Sequence, residues 1–346
     1  MNILHKLLGA AVLSLMCACA GAQDKKSYSI SCVAFYNLEN LFDTIPGKND
    51  REFTPDGPKR WTSERYHEKL NRMAEVIAQI GDEYNGLAGP AVIGLSEMEN
   101  RAVLEDLVNT PTLKPLGYKI VHYDSPDKRG VDVALLYRPE LFRLTASKAV
   151  RFDVADRPDF RSRDQLVVSG VLAGETVHFV VNHWPSRSGG EKKSRPLRIA
   201  AGELSRRIAD SLQRIDPKAK IIIMGDLNDD PIDKSITQGL GAKLSRKKLE
   251  PGDLYVAMYD LYKRGIGTLA YKDSWSLFDN FVVSEALVNA PQNELKLYKV
   301  KIFNRPFLLN PSGPYAGYPL RTYVGSTFQG GYSDHFPIYL FLTKEK

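Results

Sequence analysis

The sequence predicts an α/β fold in which two packed β-sheets carry helices on their outer sides. Three observations lead there. Nine short strand-like runs recur along the chain. Only two stretches have helical periodicity, and strands and helices do not alternate strictly.

The strand-like runs are 31–37, 91–97, 118–123, 131–137, 165–172, 176–182, 220–225, 278–283 and 338–342. Residues 176–182 alternate apolar and polar side chains, as a half-buried strand does, whereas Ile221 to Met224 are apolar throughout and read as a central strand. The first helix is expected over 63–80, where Leu70, Met73, Val76, Ile77 and Ile80 form one stripe and Thr62 or Ser63 caps the start. The second is expected over 196–214, with Leu197, Ala200, Ala201, Leu204, Ile208 and Leu212 on one face and Pro196 in the first turn. Segments 40–61, 185–195, about 229–276 and about 302–332 read as long loops, which in a compact domain are usually functional. With no repeat and no Ser/Gly linker, residues 23–346 are expected to form one domain.

Hydrophobic residues make up 43% of the 346 positions and charged residues 25%, an ordinary globular balance. The net charge of +6 and pI of about 9.0 suit a polyanionic or phosphorylated substrate, or belong to a solvated Lys-rich face. Residues 1–22 read as a secretory signal: Lys6 precedes an apolar stretch, and Ala20, Gly21 and Ala22 form a small-residue cleavage site. This implies export to the periplasm or medium, with lipidation at Cys19 the alternative. Cys32 is then the one cysteine of the mature chain and reads as a small core residue. No further apolar run approaches the ~20 residues of a membrane helix, and nothing indicates an obligate protein partner.

Function is concentrated at the ends of the strands. The run "IIIMGDLNDDP" leaves the core at Gly225 and delivers Asp226 and Asn228, two apart and so on one side of an extended chain. A turn would select the same residues for conformational reasons. Five other segments end alike: Glu97 and Glu99 in "AVIGLSEMEN", Asn37 and Glu39 in "CVAFYNLEN", Asn182 and His183 in "VHFVVNHWPS", Asp334 and His335 in "GYSDHFPIYL", and Asp279 in "SWSLFDNFVV". Turn propensity does not explain six such termini together, and converging strand ends are how many α/β sites are assembled.

The chemistry open to these groups is narrow. The chain has no nucleophilic serine elbow, no Cys–His pairing and no phosphate-cradling glycine loop. Carboxylates, amides and two imidazoles remain, hard oxygen ligands with proton-transfer groups, which favour Mg²⁺, Mn²⁺ or Ca²⁺ and suit phosphoester hydrolysis.

In this order, "FYNLEN", "LSEMEN", "RGVDVALLY", "VNHWPS", "MGDLND", "SLFDNFVVS" and "YSDHFP" resemble the endonuclease/exonuclease/phosphatase superfamily, which includes pancreatic deoxyribonuclease, apurinic-site endonucleases, neutral sphingomyelinases and inositol-polyphosphate phosphatases. The matching stretches run from residue 35 to 337. The resemblance implies a four-layer α/β sandwich, with two mixed sheets face to face and helices on both outer faces. It also implies roles. Glu97 would be the principal ligand of a Mg²⁺ ion (or Mn²⁺ or Ca²⁺), with Asn37 beside it, Asp334 joining or supporting it, and Glu39 as a second acid. Asp226, helped by Asn228, would orient and deprotonate the attacking water. His335, paired with Asp279, would meet the scissile phosphate as imidazolium, and His183 would lie against the phosphate or leaving group.

Arg129, Asn182 and Arg187 are the candidate substrate contacts. Arg129 offers a planar fork to a phosphate, or is a surface charge in a turn; Asp132 is expected to support its loop. The basic stretch Arg187, Lys192, Lys193, Arg195 and Arg198 after His183 suggests an anionic substrate held electrostatically, and Trp184 either stacks on a base or covers the core edge. The resulting expectation is a divalent-metal-dependent phosphodiesterase, a nuclease on DNA or RNA. The alternative is a phosphomonoesterase or lipid-headgroup hydrolase of inositol-phosphate or sphingomyelin type. A non-catalytic binding module on the same fold would have lost polar strand ends, and all are present.

Overall fold

The computed structural model describes residues 27–47, 52–84 and 86–346, so the expected signal segment lies outside the described residues. Strand β1 (Tyr28–Leu41) leads to helix α1 (Ser63–Gln79), β2 (Val92–Met98), helix α2 (Arg101–Val108), β3 (Lys119–His122), β4 (Asp132–Tyr137), β5 (Phe142–Val150), β6 (Gln165–Leu172) and β7 (Glu175–His183). Helix α3 (Glu191–Ile215) precedes β8 (Lys220–Asp226), β9 (Leu254–Val256), helix α4 (Tyr259–Lys263), the ribbon β10 (Leu269–Tyr271) and β11 (Ser274–Ser276), and β12 (Asp279–Ser284). The chain closes with helix α5 (Glu285–Val288), β13 (Lys296–Ile302), the ribbon β14 (Tyr323–Val324) and β15 (Thr327–Phe328), and β16 (Ile338–Glu345).

Two six-stranded sheets result, in the orders β13-β16-β1-β2-β4-β3 and β5-β6-β7-β8-β12-β9. Both are mixed: β1 runs parallel to β2 and β7 parallel to β8, while β16, β4 and β12 pair antiparallel with their neighbours. The period-two alternation of the strands builds the layers. Val33 and Phe35 of β1 face Val181 of β7 and Ile222 and Met224 of β8 in a core between the sheets. The intervening Ala34 and Tyr36 pack outward against Leu70, Met73 and Ile77 of α1. On the far side, Val180, Ile221 and Ile223 pack against Ala201, Leu204 and Ile208 of α3. The architecture is the expected four-layer sandwich. Each fully buried Val, Leu, Ile, Phe or Met side chain among them contributes roughly 1.5–3 kcal/mol by leaving water.

Helix α1 matches its sequence signature, with the Thr62 side chain accepting from Arg65 N. Helix α3 does not. It begins at Glu191, after Gly189 and Gly190 turn the chain with φ of 75° and 105°, so Pro196 lies inside it and the last five residues of the expected loop 185–195 are helical. Glu191 occupies the first turn, where a carboxylate complements the helix dipole. Cys32 is a buried core residue whose thiol pKa burial pushes up. No helix among the described residues is long and apolar enough to cross a membrane.

Candidate active site

The same alternation that builds the core delivers polar side chains to one end of it. Continuing the inward face of β1 beyond Phe35 gives Asn37; beyond Met224 of β8 it gives Asp226; beyond Val181 of β7 it gives His183. In the second sheet His183 pairs with Asp226 and Asp226 with Asp279, so three polar residues stand in a row across β7, β8 and β12. From the facing sheet, Asn37 Nδ2 donates to Asp226 Oδ2 at 3.1 Å. The backbone N–H of Asn228 donates to Asp226 Oδ1 at 2.9 Å, while its amide donates to the carbonyl of Trp184 at 3.0 Å.

Glu97 arrives by a different route. Alternation along β2 would turn its side chain outward. The β2–β4 register instead slips between Ser96 and Met98, and Glu97 adopts a left-handed φ of 64°, a bulge that re-aims the carboxylate inward. Among the described residues, nine non-glycines have positive φ, and four of them, Glu39, Asn40, Glu97 and Asn228, lie here, backbone strain concentrated where function is built. Glu97 accepts from Asn40 N and from Arg129 Nη2, both at 3.0 Å, and its Oε1 lies 3.6 Å from His183 Nε2. Asp226 Oδ2 is also 3.6 Å from that nitrogen.

His335 meets Asp226 from the other side, Nε2 to Oδ2 3.9 Å, and its Nδ1 is 2.7 Å from Asp279 Oδ2, which also accepts from Thr268 Oγ1 at 2.5 Å. Burial opposes a charge on His335, but Asp279 and Asp226 outweigh it and raise the pKa well above the ordinary histidine value. His183 is the opposite case. Burial, reinforced by Arg163, Arg129 and His335, holds it well below, so it is neutral. Burial also pushes Asp226 up to about 6, against the pull of His335. Asp226, Asp279 and His335 bring one ligand atom each within 4.8 Å, yet the imidazole is committed to Asp279 and protonated, which suits proton handling better than metal ligation.

Glu39 and Asp334 form an adjoining lobe. Glu39 Oε2 accepts from Thr322 N at 2.7 Å and lies 3.9 Å from Lys69 Nζ. Asp334 accepts from Arg321 Nη2 at 2.5 Å, and Arg321 Nε is 3.7 Å from Glu39. Burial, with Asp334 beside it, pushes Glu39 up to about 7.

The structure corrects two of the three expected substrate contacts. Asn182, next to inward-facing His183, points outward: it is wholly buried, donates to the carbonyls of Val180 and Met224, and accepts from Trp184 Nε1 and Ser205 Oγ. Arg187 is spent on Asp229 and Asp233, at 3.0 and 2.9 Å, and stacks on Phe278. Most of the expected basic flank is spent likewise: Arg198 is fully buried against Asp229 at 2.8 Å and Arg195 pairs with Glu191. Trp184 is buried and covers the core edge. Arg129 alone of the three reaches the site, half exposed and pinned to Glu97. Asp132 accepts from Ser125 N and Oγ and lies 3.0 Å from His122 Nε2, supporting the loop that carries Arg129.

Sequence reading missed Lys69, Arg163, Thr268 and Arg321. Lys69 had a signal, a cation next to Leu70 and four residues before Met73 on the apolar face of α1. Arg163 holds the carbonyls of His183 and Trp184 and pairs with Asp127, but nothing local in an irregular segment marks it, and the same holds for Thr268 and Arg321.

The clustered side chains of Glu97, Asp226, Glu39, Asp334 and the Asn37 amide offer oxygen ligands throughout and fit a hard divalent cation. Such a set beside a protonated His–Asp pair is equipped for hydrolysis of a phosphoester. The chain belongs to the Endonuclease/Exonuclease/phosphatase family, which it matches over residues 32–344. Enzymes of this family are phosphoester hydrolases that use divalent metals. No curated protein matches the sequence. Among solved structures, TDP2 of D. rerio complexed with a single-strand DNA product is 15% identical with a TM-score of 0.54, over 91% of this chain and 99% of that one. The mannosyl-6-phosphatase of Bacteroides thetaiotaomicron is 16% identical with a TM-score of 0.52, over 90% and 99%. The human Nocturnin catalytic domain with bound sulfate is 16% identical with a TM-score of 0.51, over 93% and 98%. These likenesses are of fold.

Proposed function

We propose that this protein is a divalent-cation-dependent phosphodiesterase acting on nucleic acid. The observation that carries the hydrolytic reading is the position of Asp226, held by Asn37 from the opposite sheet and within 4 Å of both His183 and His335. With its pKa raised to about 6, Asp226 is ionised at neutral pH and still basic enough to take a proton from an attacking water. His335 keeps its proton through Asp279 and presents Nε2 to a phosphoryl oxygen, where negative charge grows in the transition state. Neutral His183 hydrogen-bonds the phosphate or the leaving oxygen. Arg129 adds a fork for a second oxygen. Glu97, with Asn37, Glu39 and Asp334, would hold the cation, which supplies Lewis acidity to the phosphoryl group.

Nucleic acid is supported by the basic pI and by aromatic rings beside His335: Trp275 stacks on Phe336 at 6.0 Å, and Tyr318 and Tyr315 continue the run towards solvent. The DNA-product complex of the fish TDP2 is consistent with it. A second reading, a phosphomonoesterase or headgroup hydrolase, is favoured by the loss of Arg187, Arg195 and Arg198 to ion pairs, which leaves less basic surface for a polymer. Pure protein would be incubated with single-stranded DNA, RNA, mannose 6-phosphate, inositol polyphosphates and sphingomyelin, each with Mg²⁺ and with chelator. Absence of nucleic-acid cleavage at every metal concentration rejects the first reading. Residues 1–22 add the inference of export; N-terminal sequencing of protein recovered outside the cytoplasm should begin at Gln23, and a lipid on Cys19 would replace this.

A further inference from the structure

Two cations sit on the Glu39–Asp334 lobe, and they differ in freedom. Lys69 is fully buried on α1, its Nζ fixed by Thr322 Oγ1 at 2.5 Å and the carbonyl of Tyr332 at 3.1 Å. Arg321 has a rigid base and a half-exposed guanidinium end that pairs with Asp334. Its backbone is clamped: Tyr332 N donates to Leu320 O at 2.6 Å, Gln329 N to Thr322 O at 2.9 Å, and Gly331 packs so close that a Cβ would stand 2.2 Å from the Arg321 carbonyl. Its side chain is 43% exposed, rests on Asp334 and Glu39, and extends from the 302–332 segment over the edge of the site. Arg129 repeats the arrangement on the other flank, based on a braced loop, 49% exposed and resting on Glu97.

We propose that Arg321 is a resident counter-ion of the cation site and a second arm for substrate phosphate. The inference rests on the reading above in which Glu39 and Asp334 are cation ligands. Two carboxylates this close repel each other, and the guanidinium offsets that repulsion while no divalent ion is bound. A divalent cation and Arg321 compete for the same oxygens. Once displaced, the guanidinium remains tethered at the rim and turns to an anionic oxygen of the substrate, where its fork binds two acceptors. Lys69 cannot follow, because its ammonium is enclosed, so it stays as the fixed charge that keeps Glu39 in place.

The test is Mn²⁺ binding, read by electron paramagnetic resonance without substrate, in wild type, Arg321→Gln and Arg321→Lys. Arg321→Gln should bind Mn²⁺ roughly two- to fivefold tighter, the range set by a half-exposed ion pair. Arg321→Lys keeps the charge and should stay near wild type. With whichever phosphoester the wild type hydrolyses, KM should rise about tenfold in both variants, the loss of a bidentate charge-assisted contact, with a smaller change in kcat. Unfolding midpoints check that the variants are folded. Unchanged or weaker Mn²⁺ binding by Arg321→Gln overturns the proposal, as does an unchanged KM. If no phosphoester is turned over, the functional reading fails, and the Mn²⁺ measurement still decides the competition.

Discussion

Asn37 and Asp226 are 189 residues apart and belong to different sheets, yet the amide of one donates to the carboxylate of the other at 3.1 Å. This bond spans the gap between the sheets where their inner faces run out of apolar residues, and it sets the direction of the Asp226 carboxylate. Asn37→Ala should therefore lower kcat/KM by about 10²-fold, the usual cost of misplacing a reacting group by about 1 Å. Asn37→Asp places a second acid against the first, which disfavours its charged form, so the acid limb of the pH–rate profile should move up. An unmoved limb would show that the contact does not govern Asp226.

The two pKa shifts have opposite kinetic signatures. Activity should rise as Asp226 loses its proton, at or below about 6, because a bound cation favours the carboxylate further. It should fall as His335 loses its proton, well above the ordinary value of 6.5. Asp279→Asn removes the anion that sustains His335, and should bring the alkaline limb down while lowering kcat/KM by about 10²–10⁴-fold. Stability follows the same sign. A histidine with a raised pKa contributes stabilisation that is complete below 6.5 and lost as pH rises through its folded value. Urea unfolding of the wild type across that range should show this loss, and Asp279→Asn should show less of it.

Gly225 is needed for its missing side chain. A Cβ there would stand 2.2 Å from the carbonyl oxygen of Asn182 on the neighbouring strand. Gly225→Ala must spread β7 from β8 just before the His183–Asp226 pair. It should destabilise by about 1–3 kcal/mol and reduce activity beyond what the lost folded fraction explains. Urea titration and specific activity of the folded fraction check both.

The Arg198–Asp229 pair is wholly buried, and breaking it leaves a charge in the interior. Arg198→Met should cost about 3 kcal/mol, the low end for such a site because Asp229 keeps Arg187 and Ser235 as partners. The loss should appear in the denaturant midpoint, with the metal dependence of activity unchanged.

Chelation should abolish hydrolysis, and added Mg²⁺ or Mn²⁺ should restore it. Glu97→Gln keeps the side-chain shape but removes one charge from the oxygen set, so it should raise the cation concentration needed for half-maximal activity by at least about tenfold. Wild-type rates in chelator would end the metal-dependent reading.

Side-chain parity makes much of this site legible in the sequence. Phe35 leads to Asn37 and Met224 to Asp226, and a strand that buries one residue inward directs the next but one the same way. The same rule separates inward His183 from its outward neighbour Asn182, although both stand at one strand end. Parity fails at Glu97, where the bulge reverses the side chain, and nothing in "SEMEN" announces a bulge. It is silent on Arg187 and Arg198, which in sequence look like the free cations of a binding loop.

From the sequence by itself came the layers, the strands that meet at the site, and the oxygen-rich chemistry of their ends, because all three depend on spacing between near neighbours along the chain. Only the tertiary structure decided which charges are spent on one another and which remain for a substrate. Arg187 is neutralised by Asp229 and Asp233, and Arg321 rests on Glu39 across 282 positions of sequence. A charge is satisfied by whatever lies within a few ångströms of it, and that distance exists only once the chain has folded.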